Sequence, residues 1–391
     1  MEIDPSYQRF VTRRGTVLVE LDRALYGTIQ AARCWYDLLS KELKSWGYKP
    51  NPYDPCVFNK ATPSGKQCSI VLHVDDMMVS CADEAGLEDL SRHLRRRFGE
   101  DKVTEHRGQV LDFLAMTFDF SKAGEARVTM KKLVGDILDG CGVDKTYATP
   151  GLDHLYQARD APKLGTADHD FYRTYVAKLL YVAKRVMPEM LTAVSFLTTR
   201  AVAPDTDDLA KLQRALGYLR GDADRGIVLR IGDRPTVNAY VDAAYGVHTN
   251  SGRSHSGCAT VIGDGGPVDV KSSKQKLVTK SSTEAELVAA SSYASQALWI
   301  RNFLQAQGYD TGPVVLHQDN MSAMALMKRG GPASEKSRHI AIRHFWVKER
   351  ADAGEMVVRH LPTELMLANI MTKPLQGQQF VSERAMLTNW P

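Results

Sequence analysis

The chain has 391 residues, 43% hydrophobic, 25% charged and 8% aromatic, proportions that exclude collagen-like, fibrous and disordered classes and suggest two or three cores. Fifty Lys and Arg against forty-six Asp and Glu leave a formal charge of +4, which permits a polyanionic partner without demanding one. No run of eighteen apolar residues occurs and MEIDPSYQRF lacks an apolar core, which argues against a secreted or membrane-spanning protein. The six scattered cysteines (Cys34, Cys56, Cys68, Cys81, Cys141, Cys258) form no CxxC pair and read as reduced thiols of an intracellular protein, cytoplasmic or nuclear.

Between Val17 and about Ile137, short apolar strands alternate with charged helices. Ser69–Leu72 and Met77–Val79 flank the quartet His73, Val74, Asp75, Asp76 and read as a hairpin. A basic helix follows with Arg92, Arg95, Arg96 and Arg97. Tyr147 to Asp170, with Pro150, Gly151, Pro162 and Gly165, reads as a linker. The next region is helical: Tyr172–Met187 stopped by Pro188, a second helix from Met190, and a third over Thr206–Leu219, opened by Asp205 or Thr206 and stopped by Gly221. From Pro235 the texture changes. Strands are expected at Val237–Asp242, Gly257–Ile262, Val268–Lys271, Lys276–Lys280, Val314–His317 and Glu355–Leu361. Helices are expected at Ser282–Gln307, Ser322–Lys328, Arg338–Ala353 and Thr363–Met371. Strands first and helices interleaved afterwards argue for a mixed α/β sheet covered by helices.

Three sets of side chains could carry chemistry. Adjacent Asp75 and Asp76 at a hairpin tip repel unless a cation is bound, although a lone Asp pair between strands is usually a polar turn. Asp242 closes a strand, Glu284 and Glu286 open a long helix, and Asp319 closes another strand. Acids so placed can converge at one sheet edge as hard oxygen ligands for divalent cations. Singly, each has a plainer use, since Ser281 with Glu284 and Thr283 with Glu286 both fit a capping box. Basic stretches flank this set: Lys271, Lys274, Lys276 and Lys280, then seven Lys or Arg between Lys328 and Arg350 with His339, His344 and Trp346. Such patches bind phosphate backbones or are solvated helix faces.

The chain resembles the C-terminal part of the polyprotein of copia-type LTR retrotransposons, reverse transcriptase followed by ribonuclease H. The stretches that carry the likeness are LDRALYGTIQAARCWYDLL (Leu21–Leu39), YDPCVF (Tyr53–Phe58), HVDDMMVS (His73–Ser80), LLYVAKRVMPEMLTAVSFL (Leu179–Leu197), RALGYLRG (Arg214–Gly221), AYVDAAY (Ala239–Tyr245), SSKQKLVTKSSTEAEL (Ser272–Leu287), HQDN (His317–Asn320), RHIAIRHFWVKE (Arg338–Glu349) and MLANIMTKPL (Met366–Leu375). They run in the family's order along almost the whole chain. The resemblance implies a truncated polymerase palm over 1–145, a helical thumb or connection over 146–234, a ribonuclease H-like domain with a five-stranded mixed sheet over 235–380, and a tail over 381–391.

The same resemblance implies roles. Asp75 and Asp76 match the metal-binding pair of the palm, with His73 where the family has Tyr. Asp242, Glu286 and Asp319 match three of the four ribonuclease H acids. The fourth falls on Asn369, where the family has Asp; on a helix, Glu364 would lie about 140° away and would not substitute for it. The palm needs one more Asp upstream of ALYG, and of Glu2, Asp4, Glu20 and Asp22 none has its context, so a missing N-terminal polymerase segment is expected. Ile29 and Ala32 also depart from the family's Lys and Pro. Two Mg²⁺ ions, or Mn²⁺ in their place, are implied as cofactors, and RNA, DNA and their hybrid as partners. The expected activity is hydrolysis of RNA in the hybrid with polymerase activity lost; the rival expectation is a non-catalytic nucleic-acid-binding relic.

Overall fold

The computed structural model describes residues 9–17, 22, 24–25, 27–232, 234–329 and 346–391. Glu2, Asp4, Glu20, part of the Leu21–Leu39 stretch, and Arg338, His339 and His344 lie outside the described residues. Packing divides the chain into two units, Met1–Thr104 and Glu105–Pro391. Among the described residues, no helix is long and apolar enough to cross a membrane.

The first unit is a four-stranded antiparallel meander with two helices. Helix α1 (Ile29–Ser45) starts at Thr28, whose side chain accepts from the Ala31 N–H. Strands β1 (Lys49–Pro50), β2 (Val57–Ala61), β3 (Gln67–His73) and β4 (Asp76–Cys81) pair in chain order. Along β3, Cys68, Ile70 and Leu72 are buried while Gln67, Val71 and His73 face out, the period-2 pattern of a half-covered strand. Leu90 and Leu94, one helical turn apart on α2 (Glu84–Phe98), pack on Leu39, Leu43, Phe58 and Ile70. Burying each such side chain stabilises by about 2 kcal/mol. The expected hairpin is formed, closing at His73 and Asp76 around the two-residue loop Val74–Asp75.

The second unit holds two sheets and the helical region between them. Strands β5 (Val110–Phe113), β6 (Met116–Asp119) and β7 (Glu125–Thr129) pair in order, and β7 then pairs with β8 (Gly226–Arg230), beyond the helices. Residues 105–145 therefore pack with the rest of this unit, which moves the break in packing to Thr104/Glu105 from the sequence-based boundary at 145/146. Helices α3 (Lys131–Cys141), α4 (Thr166–Ala183), α5 (Leu191–Thr198) and α6 (Thr206–Gly221) lie between β7 and β8 in the chain. Helix α4 begins six residues before the expected Tyr172, on Gly165. Helix α6 has the Asp205 cap, closed reciprocally with Asp208. The expected linker is not a spacer, because Leu155 and Tyr156 are buried in the core shared with Leu179, Leu216, Met371 and Phe380.

The other sheet has five strands, as expected: β9 (Val237–His248), β10 (Arg253–Ile262), β11 (Pro267–Lys274), β12 (Val314–Gln318) and β13 (Met356–His360), in the order β11-β10-β9-β12-β13. The first three are antiparallel, and β12 runs parallel to both β9 and β13. Helix α7 (Ser282–Ala306) lays Ala285, Ala289, Ala290, Ala294 and Ala297 on Val237, Ala239 and Val241; small residues let helix and sheet approach closely. Helix α8 (Met321–Arg329) and a helix α9 over 346–352 complete the layer.

Three expectations are corrected. Residues 276–280 form no strand but a loop leading into α7. Thr363–Met371 is two 3₁₀ turns, Thr363–Leu365 and Asn369–Met371, not one helix, so the 140° argument about Glu364 has no helix to rest on. The supposed tail is helix α10 (Gly377–Thr388), because Phe380, Glu383 and Leu387 recur at helical spacing and are all buried.

Candidate metal centre

Strand β9 runs past Asp242 to His248, so this acid lies within the strand and not at its end. The parallel register pairs Ala239 with Leu316 and Tyr240 with His317; extended by two residues it brings Asp319 beside Asp242. Glu286 comes down from the first turns of α7. Ligand oxygens of Asp242, Glu286 and Asp319 lie within 4.8 Å of one another, and among the described residues this is the only such group of three. The order strand, helix, strand thus converges as the sequence suggests.

Each acid is held by neutral donors. The Ala243 N–H donates to Glu286 Oε1 at 3.1 Å and the Gln318 amide to Oε2 at 3.3 Å. The Thr363 hydroxyl donates to Asp319 Oδ2 at 2.9 Å, and the Thr372 hydroxyl to Asp242 Oδ2. Asp242 and Glu286 are buried. Burial pushes the Asp242 carboxyl up, with Lys373 opposing and Asp319 reinforcing the shift. Burial, then Asp242 and Asp319, raise Glu286 well above its ordinary range. Three carboxylates so close, two out of water, repel unless protons or a cation compensate them. The donor set is all hard oxygen, which fits Mg²⁺ or Mn²⁺. Asp242, Glu286 and Asp319 are the residues that would hold the ion.

The two capping-box alternatives separate cleanly. Ser281 Oγ accepts from the Glu284 N–H at 3.2 Å, and Glu284 Oε2 accepts from the Lys280 N–H at 2.7 Å. Glu284 therefore holds the helix start, and Glu286 alone faces the other acids.

Asn369 is buried beside the cluster but is not one of the three. The Lys373 ammonium donates to Asn369 Oδ1 and lies 3.6 Å from Asp242 Oδ2. The 368–372 segment lies on the sheet because Gly257, paired with Asp242 across β9 and β10, leaves room: a Cβ there would meet Met371 Cβ at 2.6 Å and Thr372 Cγ2 at 2.7 Å. The helical region holds the segment from the other side. Thr192 donates to the Ile370 carbonyl at 2.6 Å, and Tyr156 to the Thr372 carbonyl at 2.8 Å. Thr372 and Lys373 belong to the MLANIMTKPL stretch, yet sequence reasoning gives them no role. Nothing in the local spacing marks them, since both meet Asp242 only through tertiary folding.

Asp75 and Asp76 are exposed at the hairpin tip, and no third potential ligand gathers with them among the described residues. Of the basic residues, Lys271, Lys276, Lys280, Lys328 and Arg329 are exposed. Trp346, half-buried, packs against the core of the five-stranded sheet.

Residues 11–151 match the family model of reverse transcriptase (RNA-dependent DNA polymerase). Over 378 residues the chain is 30% identical to the retrovirus-related Pol polyprotein from transposon RE1 of Arabidopsis thaliana, covering 94% of this chain and 25% of that one. It is 25% identical over 372 residues to the corresponding polyprotein from transposon TNT 1-94 of Nicotiana tabacum, covering 93% and 28%. The chain spans about a quarter of the length of the curated relatives it matches. Among solved structures it is similar to RNase H1 from the halophilic archaeon Halobacterium salinarum NRC-1, at 19% identity and a TM-score of 0.26, covering 35% of this chain and 94% of that one.

Proposed function

We propose that this chain, a copia-type Pol relative across more than nine-tenths of its length, hydrolyses the RNA strand of RNA–DNA hybrids at Asp242, Glu286 and Asp319. The observation that carries this reading is the convergence of three carboxylates from three separate elements within 4.8 Å. Divalent cations bound there, two Mg²⁺ or Mn²⁺, supply an acidified water and charge compensation at the leaving 3′ oxygen. The chain's own residues fix the ligands: Ala243 and Gln318 orient Glu286, Thr363 orients Asp319, and Thr372 orients Asp242. Exposed Lys271, Lys276 and Lys280 supply phosphate contacts, and hybrid selection follows from duplex shape and 2′-hydroxyls, since A-form-like duplexes hide their base edges. On this reading Asp75 and Asp76 carry out no templated DNA synthesis, because among the described residues no third ligand joins these two exposed acids to make a two-metal site.

One observation favours the rival reading of a non-catalytic binding relic. Lys373 brings a positive charge to Asp242 from the Asn369 side, where it would compete with a cation. The experiment is cleavage of a labelled hybrid by the purified chain with Mg²⁺ or Mn²⁺, beside Asp319→Asn. Metal-dependent cleavage that the substitution removes supports the proposal. Hybrid binding without cleavage supports the relic.

A further inference from the structure

Asn369 and Glu383 form a buried pair behind the acid cluster. Asn369 is 2% exposed and Glu383 5%. The Asn369 Nδ2 group donates to Glu383 Oε1 at 2.7 Å, and Gln379 donates to the same oxygen at 2.9 Å. Glu383 Oε2 is buried without a hydrogen-bond partner among the described residues. On the other side of the amide, Asn369 Oδ1 accepts from Lys373, which approaches Asp242. An amide has two faces of opposite character, one acceptor oxygen and one donor nitrogen. As a carboxylate Glu383 accepts only, so it selects the nitrogen and turns the oxygen toward the Lys373–Asp242 side.

We infer that Glu383 is a positioning residue of this centre: it fixes the Asn369 amide with its carbonyl oxygen toward the acid cluster, and an acid at 369 strengthens the site only when 383 is an amide. The inference rests on the metal-dependent reading of the cluster and goes beyond it. It also reverses the simplest expectation for position 369, that restoring Asp improves the site. With Glu383 in place, Asn369→Asp sets two carboxyl groups against each other at hydrogen-bond distance in a buried place, and one must keep a proton or move away. Changing Glu383→Gln in the same chain restores a donor opposite the new acid and leaves the net charge of the pair as it was.

The test is a double-mutant cycle on the full chain: wild type, Asn369→Asp, Glu383→Gln and the double variant. Each protein is titrated with Mn²⁺ alone, reading free ion by electron paramagnetic resonance, and each is melted without metal. Residues in direct contact typically couple by up to about a hundredfold in an equilibrium constant, and about tenfold is expected here. Asn369→Asp should bind Mn²⁺ no better than wild type and melt lower, whereas the double variant should bind about tenfold tighter than Asn369→Asp and melt near wild type. Additive effects on both readouts overturn the inference. Coupling in melting without coupling in Mn²⁺ binding leaves Glu383 a structural partner only and overturns the positioning role. Failure of the wild type itself to bind Mn²⁺ sinks the metal reading of the cluster and the positioning role with it, a result distinct from binding with additive variants.

Discussion

The chain carries two sets of acids, and the structure treats them oppositely. Asp75 and Asp76 are neighbours in sequence yet stand exposed at a hairpin tip. Asp242, Glu286 and Asp319 are far apart in sequence yet converge, two of them buried. Exposed carboxylates are hydrated and repel weakly, so a hairpin tolerates them at little cost. Buried carboxylates repel in a poorly screening interior and persist only with compensation. Convergence with burial, not adjacency, is therefore what sets the candidate metal centre apart from the hairpin pair in this molecule.

The sharpest way to break that comparison is to neutralise each set. Asp242→Asn should lower hybrid cleavage by about a thousandfold or more, the scale of several kcal/mol of lost charge stabilisation. Its melting temperature without metal should change little, since relief of repulsion from Glu286 and Asp319 is offset by loss of the Lys373 pairing. The double change Asp75→Asn, Asp76→Asn should leave cleavage unaltered. Equal losses from both sets, measured on one labelled hybrid, would put the hairpin in the same reaction.

The helix start gives a finer contrast between two acids two residues apart. Glu286→Gln should remove most cleavage. Glu284→Gln should keep most of it and lose stability by about 1 kcal/mol, since its carboxylate holds the Lys280 N–H at the α7 start. A larger activity loss for Glu284→Gln would mean that the helix presents its other face to the substrate.

A third acid isolates burial from convergence. Glu189, in the helical region, is 2% exposed; Tyr218 donates to its Oε1 at 3.0 Å and its buried Oε2 has no partner among the described residues. Burial pushes its carboxyl up to about 7 from 4.5. The native chain then holds a proton that the unfolded chain releases between those values, so stability falls as pH rises from about 4.5 to about 7. Glu189→Gln lacks that loss. Its advantage over wild type should be nil near pH ~4.5 and on the order of 3 kcal/mol at about pH 8. Denaturation curves at the two pH values check it, and a constant offset would show that the Tyr218 contact matters more than the charge.

Much of this centre was legible because its elements announce themselves locally. Val237, Ala239 and Val241 alternate, Ser281 opens a long helix, and a motif match placed Asp319 behind an apolar strand. The parts that stayed hidden depend on distant partners. The sheet of β5 to β8 closes only through Gly226–Arg230, which no local pattern ties to Glu125–Thr129. The 368–372 turn exists because Gly257 on another strand admits it. Glu383 belonged to a presumed tail, although its spacing from Phe380 and Leu387 already traced a buried helix face.

The smallest expected effect returns to the hairpin tip. Val74 has φ of 56°, a left-handed conformation that its branched side chain resists by about 1–2 kcal/mol. It is 51% exposed, so its side chain contributes little burial. Its carbonyl accepts from Trp35 Nε1 at 2.7 Å, a contact that any residue at 74 can keep. Glycine relieves the strain but gives back part of the gain as chain entropy, about 0.5–1 kcal/mol. Val74→Gly should therefore stabilise the hairpin by roughly 0.5–1 kcal/mol. The readout is slower amide exchange along Gln67–His73 and Asp76–Cys81. Hybrid cleavage should not move, because neither acid at this tip is among the three that converge. Faster exchange would show that Val74 packs to more purpose than its exposure suggests, and altered cleavage would tie the exposed pair to the buried three.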